Sequence, residues 1–532
     1  MQTVKVDSLR VSVGVEGKPV IENLTFSLSR GEALLVLGPT GSGKTTLLLS
    51  LSGVIPGLLP GDVKGRVDIA GHDPVSEGLK GLAGDVGIVF QDPEAQVVMD
   101  TVQDEVAFPL ENLFYNPTAI NDQVTKCLAK TGLLDYASEK TDTLSTGLKQ
   151  RLAIASTLCF NPKVLLLDEP TAHIDPASSR KIYELLRTFK EEGGTLVIVE
   201  HRLEYLGDIV DKILFLYKGK GILTRDFNDL VNNFGFSALV RAGVWLPYKI
   251  LKELSVNKQS QPLSGPPEYT LGSPIIKVEN LNVELNGKAI LRNVSFDVNR
   301  GELLVIIGPN GSGKTTLLKV LAGLIRKYSG RISVLGGAPS HKKIAYVSQI
   351  PEHQFTERTV SEEVASTLLQ TGITKERALK IAMGELEARG LGHLSSAGVY
   401  EISQGEKRLV SLLEMELLNR PIILLDEPTF GLDLRHTLNV VKRINDVILK
   451  GKTVILVTHD TWILPLFNSR VIGLSSGKIM FQGSFKELLT KRELWKDLSF
   501  SPPPVFQETD RIEDQDEAIK NIRNLVFSIH DA

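Results

Sequence analysis

The segment Gly38-Pro39-Thr40-Gly41-Ser42-Gly43-Lys44-Thr45-Thr46 recurs, almost unchanged, as Gly308-Pro309-Asn310-Gly311-Ser312-Gly313-Lys314-Thr315-Thr316. Each copy follows a short apolar run (residues 34–37 and 304–307) and opens Leu-rich sequence of helical character. A strand, a Gly-rich turn and a helix in that order are the context a phosphate-binding loop requires. The glycines let the backbone wrap around phosphates, and successive N–H groups at the helix N-terminus attract negative charge. Lys44 and Lys314 can then reach the terminal phosphates, and Thr45 and Thr315 can ligate Mg²⁺. Two copies in corresponding places make the chain a duplicated nucleotide-binding protein.

The repeat continues past the loops. Lys44 corresponds to Lys314, an offset of 314 − 44 = 270. Downstream, Gln91 and Gln349, Ser145 and Ser403, Glu169 and Glu427, Asp175 and Asp433, and His201 and His459 are each 258 apart, as in 427 − 169 = 258. The first half therefore carries 270 − 258 = 12 extra residues before Gln91, expected in the Pro- and Gly-rich stretch 54–84. Two copies exclude a solenoid or propeller and favour two paired domains.

With 532 residues, 42% of them hydrophobic, the chain can bury two substantial cores. A formal charge of −3 without a long Lys/Arg block gives no electrostatic reason to expect nucleic acid. Cys127 and Cys159 have neither ligand spacing nor a neighbouring His, and read as small core side chains in a reduced compartment. No run reaches the ~18 apolar residues needed to cross a bilayer, and residues 1–10 lack a signal-peptide profile. The expectation is a chain cytosolic by itself, reaching a membrane only by docking on a separate spanning protein.

Alternation of β-like and helical segments around each loop predicts an α/β fold. Residues 4–26 read as β-rich and 101–140 as helical, while 164–167, 196–199, 422–425 and 454–457 are apolar runs of the kind buried in a parallel sheet. The expected boundaries are a first domain at 1–230, a linker at 231–274, a second domain at 275–490 and a tail at 491–532. The linker contains Gln261-Pro262-Leu263-Ser264-Gly265-Pro266-Pro267; the tail contains Pro502-Pro503-Pro504 and a charged run, 511–523, that reads as a solvated helix face.

Asp168-Glu169 and Asp426-Glu427 each follow an apolar strand, at the carboxyl end of a sheet where open α/β folds bind ligands. Asp168 and Asp426 can hold Mg²⁺ through water, and Glu169 and Glu427 can polarise an attacking water. Gln91 and Gln349 fall at strand ends, where an amide could touch both metal and water. His201 and His459 follow Val-rich strands and could contact a γ-phosphate and orient the water. Singly, each would be ordinary strand-end polarity; their register with two phosphate loops gives them catalytic meaning.

Together these residues resemble the ATP-binding cassette family, with two cassettes fused in one chain over nearly all of residues 3–490. The resemblance implies two P-loop NTPase domains in tandem, each with a mixed β-subdomain, a parallel-sheet core and a helical subdomain, and ATP hydrolysis with ATP and Mg²⁺ as ligands. The family's signature loops are similar to Ser145-Thr146-Gly147-Leu148 and Ser403-Gln404-Gly405-Glu406. The loops after the glutamates are similar to Ala172-His173-Ile174-Asp175 and Phe430-Gly431-Leu432-Asp433. Family cassettes pair head to tail, so the resemblance places Lys44, Gln91, Asp168, Glu169 and His201 with Ser403 and Gly405 at one nucleotide. Lys314, Gln349, Asp426, Glu427 and His459 would share the other with Ser145 and Gly147. The implied metal ligands are Thr45, Gln91 and Asp168, and Thr315, Gln349 and Asp426. Thr146 and Gln404 stand where Gly is usual, and Leu148 and Glu406 where Gln is usual, so the two sites are expected to differ in rate or affinity. The aromatic that usually stacks on adenine is missing, the aligned positions being Val15 and Leu285.

Within the family, Gln91-Asp92-Pro93-Glu94-Ala95-Gln96 followed by Thr101-Val102-Gln103-Asp104-Glu105-Val106 is similar to the ATPases of energy-coupling-factor importers, which take up vitamins or transition-metal ions such as cobalt and nickel. The second half echoes it at Gln349-Ile350-Pro351-Glu352-His353-Gln354 and Thr359-Val360-Ser361-Glu362-Glu363-Val364. That resemblance implies docking through residues 91–113 onto helices of a transmembrane coupling protein, a separate membrane substrate-binding protein, and a place on the cytoplasmic face of the cell membrane. Rival readings are a fused ATPase of a sugar or other nutrient importer and a soluble tandem cassette acting on ribosomes. Residues 231–274 lack the long charged helix or iron–sulfur cysteines usual in the ribosomal class, and the chain lacks the zinc cysteines of DNA-repair cassettes.

Overall fold

The computed structural model describes residues 2–14, 17–171, 174, 176–201, 203, 206–247, 271–370, 372–498, 500, 502 and 506. The Pro- and Gly-rich segment 261–267 and the charged run 511–523 lie outside them. The chain divides into two compact units, Met1–Leu251 and Lys252–Ala532.

In the first unit, β1 (Gln2–Val13), β2 (Pro19–Ser29) and β4 (Gly61–Ile69) pair antiparallel in the order β2-β1-β4. A second sheet holds β3 (Ala33–Leu37), β5 (Val86–Val89), β6 (Val164–Asp168), β7 (Thr195–Val199), β8 (Lys212–Tyr217) and β9 (Lys220–Thr224), ordered β5-β6-β7-β3-β8-β9. Its pairs are parallel except β8–β9. The second unit repeats the plan. Its small sheet is β10 (Pro274–Leu285), β11 (Lys288–Asn299) and β13 (Ser329–Val334). Its large sheet is β12 (Leu303–Ile307), β14 (Ile344–Val347), β15 (Ile422–Asp426), β16 (Thr453–Val457), β17 (Arg470–Ser475) and β18 (Lys478–Ser484), ordered β14-β15-β16-β12-β17-β18.

Burial explains these sequences. Every residue of β3, β6, β7, β12, β15 and β16 is buried, so these strands need apolar side chains on both faces rather than alternation. β1 does alternate, but Val4 and Val6 pass to Leu9 and Val11 with one step of three, and Ser8 takes φ 53° where the register slips. β10 makes the same slip at Asn280, φ 51°, between Val278 and Leu281. A bulge at this point keeps both apolar pairs facing the core. That core joins the small sheet to the large one through Leu47, Leu48 and Leu51 in one unit and Leu317, Leu318 and Leu321 in the other. Each fully buried Leu contributes about 1.5–3 kcal/mol over leaving it exposed.

A helical layer stands apart from the sheets. In the first unit, helices Val102–Asn112, Pro117–Thr131 and Thr146–Cys159 close on Val102, Val106 and Leu110 and on Ile120, Val124 and Leu128, two rows at i, i+4 spacing. Cys127 and Cys159 are free, buried members of this core. The extra residues of the first unit enter at two places. From Gly53 to the bridge at Ile69 is 69 − 53 = 16 positions, against 334 − 323 = 11 from Gly323 to Val334; from His72 to Val86 is 86 − 72 = 14, against 344 − 337 = 7. The second insertion holds the short helix Gly78–Leu82. Among the described residues no helix is long and apolar enough to cross a membrane.

Candidate nucleotide site

The phosphate loops leave the carboxyl ends of β3 and β12, the fourth of six strands in each large sheet. Gly43 and Gly313 precede their helices with φ 98° and 101°, a left-handed conformation that costs glycine little. A Cβ on Gly38 would fall 2.3 Å from the Leu216 carbonyl oxygen, and one on Gly308 would fall 1.9 Å from that of Leu474, so neither position admits a side chain. Thr40 and Gly41, like Asn310 and Gly311, are exposed at the loop apex. Lys44 Nζ donates to the Gly38 and Pro39 carbonyls at 3.0 and 3.1 Å, and Lys314 Nζ to those of Gly308 and Pro309 at 2.7 and 2.9 Å. The Ser42 and Ser312 hydroxyls are buried without a hydrogen-bond partner among the described residues. An ammonium folded onto its own loop and an unpartnered hydroxyl are what a polyphosphate would engage.

Asp168 and Asp426 close β6 and β15, both buried. Removal from water pushes Asp168 up to about 6, against a lowering hydrogen bond from Thr45; Asp426 is raised by the same burial, opposed by Thr315 and Tyr346. Tyr346 donates to Asp426 Oδ2 at 3.2 Å, while Asp426 Oδ1 has no hydrogen-bond partner among the described residues. Among the described residues no three His, Cys, Asp or Glu side chains could hold a metal ion together. A threonine hydroxyl beside one carboxylate instead would suit Mg²⁺, which takes few protein ligands and relies on phosphate and water for the rest.

Glu169 and Glu427 follow these aspartates with φ 44° and 49°, a region non-glycine residues rarely enter and that stores strain. The neighbouring strand holds them there: Glu169 N–H donates to the Val199 carbonyl and Glu427 N–H to that of Val457, both at 2.9 Å. The turn aims each carboxylate at a histidine. His201 Nε2 lies 3.2 Å from Glu169 Oε1, and His459 Nε2 lies 3.2 Å from Glu427 Oε1. Gln91 Nε2 donates to Glu169 Oε2 at 3.0 Å. Lys44, Thr45, Gln91, Asp168, Glu169 and His201 thus form one linked group. Gln349 differs: among the described residues its amide makes no bond to Glu427, and Arg408 instead grips the Ser348 and Gln349 carbonyls.

The segment after each glutamine is built alike. Gln96 accepts from Phe90 N–H and donates to the Ile88 carbonyl, both at 3.0 Å; Gln354 does the same to Ser348 and Tyr346, both at 3.0 Å. Glu94 pairs with Lys149 at 2.7 Å and Glu352 with Lys407 at 3.0 Å, each lysine lying one turn into the helix opened by Ser145 or Ser403. Buried Glu105 accepts from Val98 and Met99 N–H at 2.9 and 2.8 Å, and Glu363 from Thr356 and Glu357 N–H at 2.7 and 2.6 Å. Ser145 and Ser403 cap helices Thr146–Cys159 and Gln404–Leu417. Glu406, standing where Gln was usual, closes a capping box by accepting from both the N–H and the hydroxyl of Ser403 at 2.8 and 2.7 Å. A Cβ on Gly405 would meet the His436 ring at 2.5 Å, and one on Gly147 would meet Ser178 at 3.2 Å.

Val15, Ala172, His173 and Asp175 lie outside the described residues. Leu285 is partly buried against the second unit's core. Sequence reasoning missed a buried knot in the first unit, where Thr171 and Tyr183 hydroxyls donate to Glu200 Oε2 at 2.7 and 2.9 Å and His201 N–H donates to Glu200 Oε1 at 2.8 Å. It also missed Tyr346. Both break the repeat, since Thr458 matches Glu200 and Ile88 matches Tyr346, and that mismatch was the available signal.

Two P-loop folds, each with a strand-end Asp-Glu pair and a histidine on the glutamate, define a tandem nucleotide-hydrolysing protein. The model of the family described as "ABC transporter" matches residues 21–172 and 291–430, and the chain belongs to that family and is an ATPase. A Bacillus subtilis relative named "Putative HMP/thiamine import ATP-binding protein YkoD" is 32% identical over 511 residues, 91% of this chain and 92% of that protein. A Methanosarcina mazei relative named "Putative ABC transporter ATP-binding protein" is 31% identical over 485 residues, 90% of this chain and 94% of that protein. The solved structure titled "RNase-L Inhibitor" covers 97% of this chain and 99% of its own with TM-score 0.61; its 20% identity shows the fold alone.

Proposed function

We propose that the chain is the ATP-hydrolysing subunit of an energy-coupling-factor type importer of vitamins or transition-metal ions, working at the cytoplasmic face of the cell membrane. The observation that carries this reading is the segment after Gln91. One end is pinned to the site strand by Gln96, and the other is held by buried Glu105 beside exposed apolar Val98 (63% exposed) and Phe108, with Phe114 (94% exposed) following the helix. Apolar side chains of this size exposed next to a rigid helix suit a helix of a transmembrane coupling protein, which would work with a separate membrane substrate-binding protein. The Bacillus relative's name supports import and the vitamin class.

In this proposal Lys44 and Lys314 move from their own loop carbonyls to the terminal phosphates, and the loop N–H groups bind the phosphate oxygens. Thr45, Gln91 and Asp168, and Thr315, Gln349 and Asp426, would hold Mg²⁺, which would neutralise phosphate charge. Glu169 and Glu427 polarise the attacking water, and His201 and His459 orient it toward the γ-phosphate. Ser145 and Gly147, and Ser403 and Gly405, each offer a hydroxyl and a helix N-terminus to a phosphate.

The test is mild-detergent affinity purification of the tagged chain from its native membranes, with mass spectrometry of the proteins that accompany it. A multi-helix coupling protein with a small membrane receptor is the expected result. A sugar-permease partner, or ribosomal proteins without membrane partners, would overturn the importer assignment and leave the ATPase intact.

A further inference from the structure

We infer that Phe500 is a positioning residue for His459, so that hydrolysis at the second nucleotide site depends on the chain's C-terminal segment; this rests on the reading of His459 as a hydrolytic residue. The two rings stack with centroids 5.6 Å apart and planes 16° from parallel. The same imidazole places Nε2 3.2 Å from Glu427 Oε1, so it is held between a carboxylate and an aromatic face. Phe500 is 5% exposed and the His459 side chain 12% exposed, leaving the stack largely out of water.

Phe500 is itself anchored. Its N–H donates to the Trp495 carbonyl at 2.8 Å, and the buried Trp495 indole donates to the Leu488 carbonyl at 3.0 Å. Leu498, fully buried, occupies the space over Gly473 of β17, where a Cβ would come within 2.8 Å of it. The short helices Phe485–Thr490 and Arg492–Asp497 therefore deliver the ring from a fixed base. Ser484 and Asp226 cap matching helices at an offset of 484 − 226 = 258, and the same offset pairs Phe500 with Ala242.

A histidine that must serve both a carboxylate and a phosphate works only in a narrow range of ring orientations. An aromatic stack of this kind favours one orientation by roughly two- to twelvefold in population. An aliphatic side chain would fill the volume without fixing the ring's plane. Ring and volume are therefore separable by substitution.

The experiment compares steady-state ATP hydrolysis by the chain with that of Phe500→Leu, Phe500→Tyr and His459→Ala, all in a Glu169→Gln background that leaves turnover to the second site and serves as the wild type of this comparison, each confirmed folded by thermal unfolding. Phe500→Leu is expected to lower kcat roughly two- to twelvefold with KM for ATP changed less than twofold, and Phe500→Tyr to restore most of that loss. Wild-type kcat in Phe500→Leu, or equal loss in the Leu and Tyr variants, would overturn the role given to the ring. Unchanged kcat in His459→Ala would instead overturn the reading of His459 on which the inference stands.

Discussion

His459 touches Glu427 twice: its Nε2 lies 3.2 Å from Oε1, and its backbone N–H donates to Oε2 at 2.9 Å. The glutamate is thereby hydrogen-bonded at Oε2 and within ion-pair distance of the imidazole at Oε1, while its own backbone is held at φ 49°. In the first unit the side-chain contact is the same, 3.2 Å from His201 to Glu169, but the His201 N–H goes to Glu200. His201→Ala and His459→Ala are each expected to lower turnover at their own site by about one to two orders of magnitude with little change in ATP affinity, because the histidines act on the water and γ-phosphate. Rapid-quench hydrolysis alongside nucleotide-binding fluorescence measures both quantities. A loss confined to KM would make them binding residues.

Lys44 and Lys314 already hold their loops through two carbonyl bonds each. Lys44→Ala should therefore loosen the loop as well as remove a phosphate contact. ATP affinity at that site is expected to fall more than tenfold. Equilibrium binding of a fluorescent ATP analogue to the Lys44→Ala and Lys314→Ala chains separates the two sites, and two unaltered binding isotherms would contradict the loop's role.

Asp168 titrates at about 6 in the fold and near 4 in an unfolded chain. The native state holds this proton more tightly, so the group's contribution to stability is fully present below about pH 4 and is lost as pH rises through about 6. Above that, the buried anion costs on the order of 2–3 kcal/mol. Asp168→Asn is expected to raise the nucleotide-free Tm at pH 7.5 by roughly 5 °C and to flatten its dependence between about pH 4 and 6. Mg²⁺ with ATP should stabilise the wild type more than the variant. Parallel Tm-versus-pH curves for the two nucleotide-free proteins would remove the burial penalty from the account.

Glu105 is buried and accepts from two backbone N–H groups, those of Val98 and Met99, for which no other acceptor is present among the described residues. Glu105→Ala leaves both without that acceptor, at a cost of about 1–3 kcal/mol each. Amide hydrogen exchange at residues 97–101 should accelerate while exchange in β3 stays slow. Unchanged exchange at 97–101 would show that this segment is held by other contacts.

The fold was legible because its signals are local and occur twice. Continuous apolar runs such as Leu165, Leu166 and Leu167 can only be strands buried on both faces, and a Gly-rich turn between such a run and a Leu-rich helix leaves little choice of topology. The site's main residues were legible for the same reason, since repetition at one offset gave meaning to Gln91, Glu169 and His201. What stayed hidden depends on tertiary geometry. Nothing in sequence shows that Glu169 sits at φ 44°, or that Gln96 bonds back to Ile88 across its own loop. Tyr346, Glu200 and Phe500 were passed over because each appears in one half only, where a search for repeats discards it.

The assignment of both hydrolytic glutamates is tested most directly by steady-state ATP hydrolysis of the Glu169→Gln, Glu427→Gln double variant, with bound nucleotide quantified in the same preparation. Glutamine keeps the shape but cannot polarise water as a carboxylate does, so hydrolysis is expected to fall at least about 100-fold while ATP remains bound. Hydrolysis at the wild-type rate in the double variant would contradict the assignment at both sites.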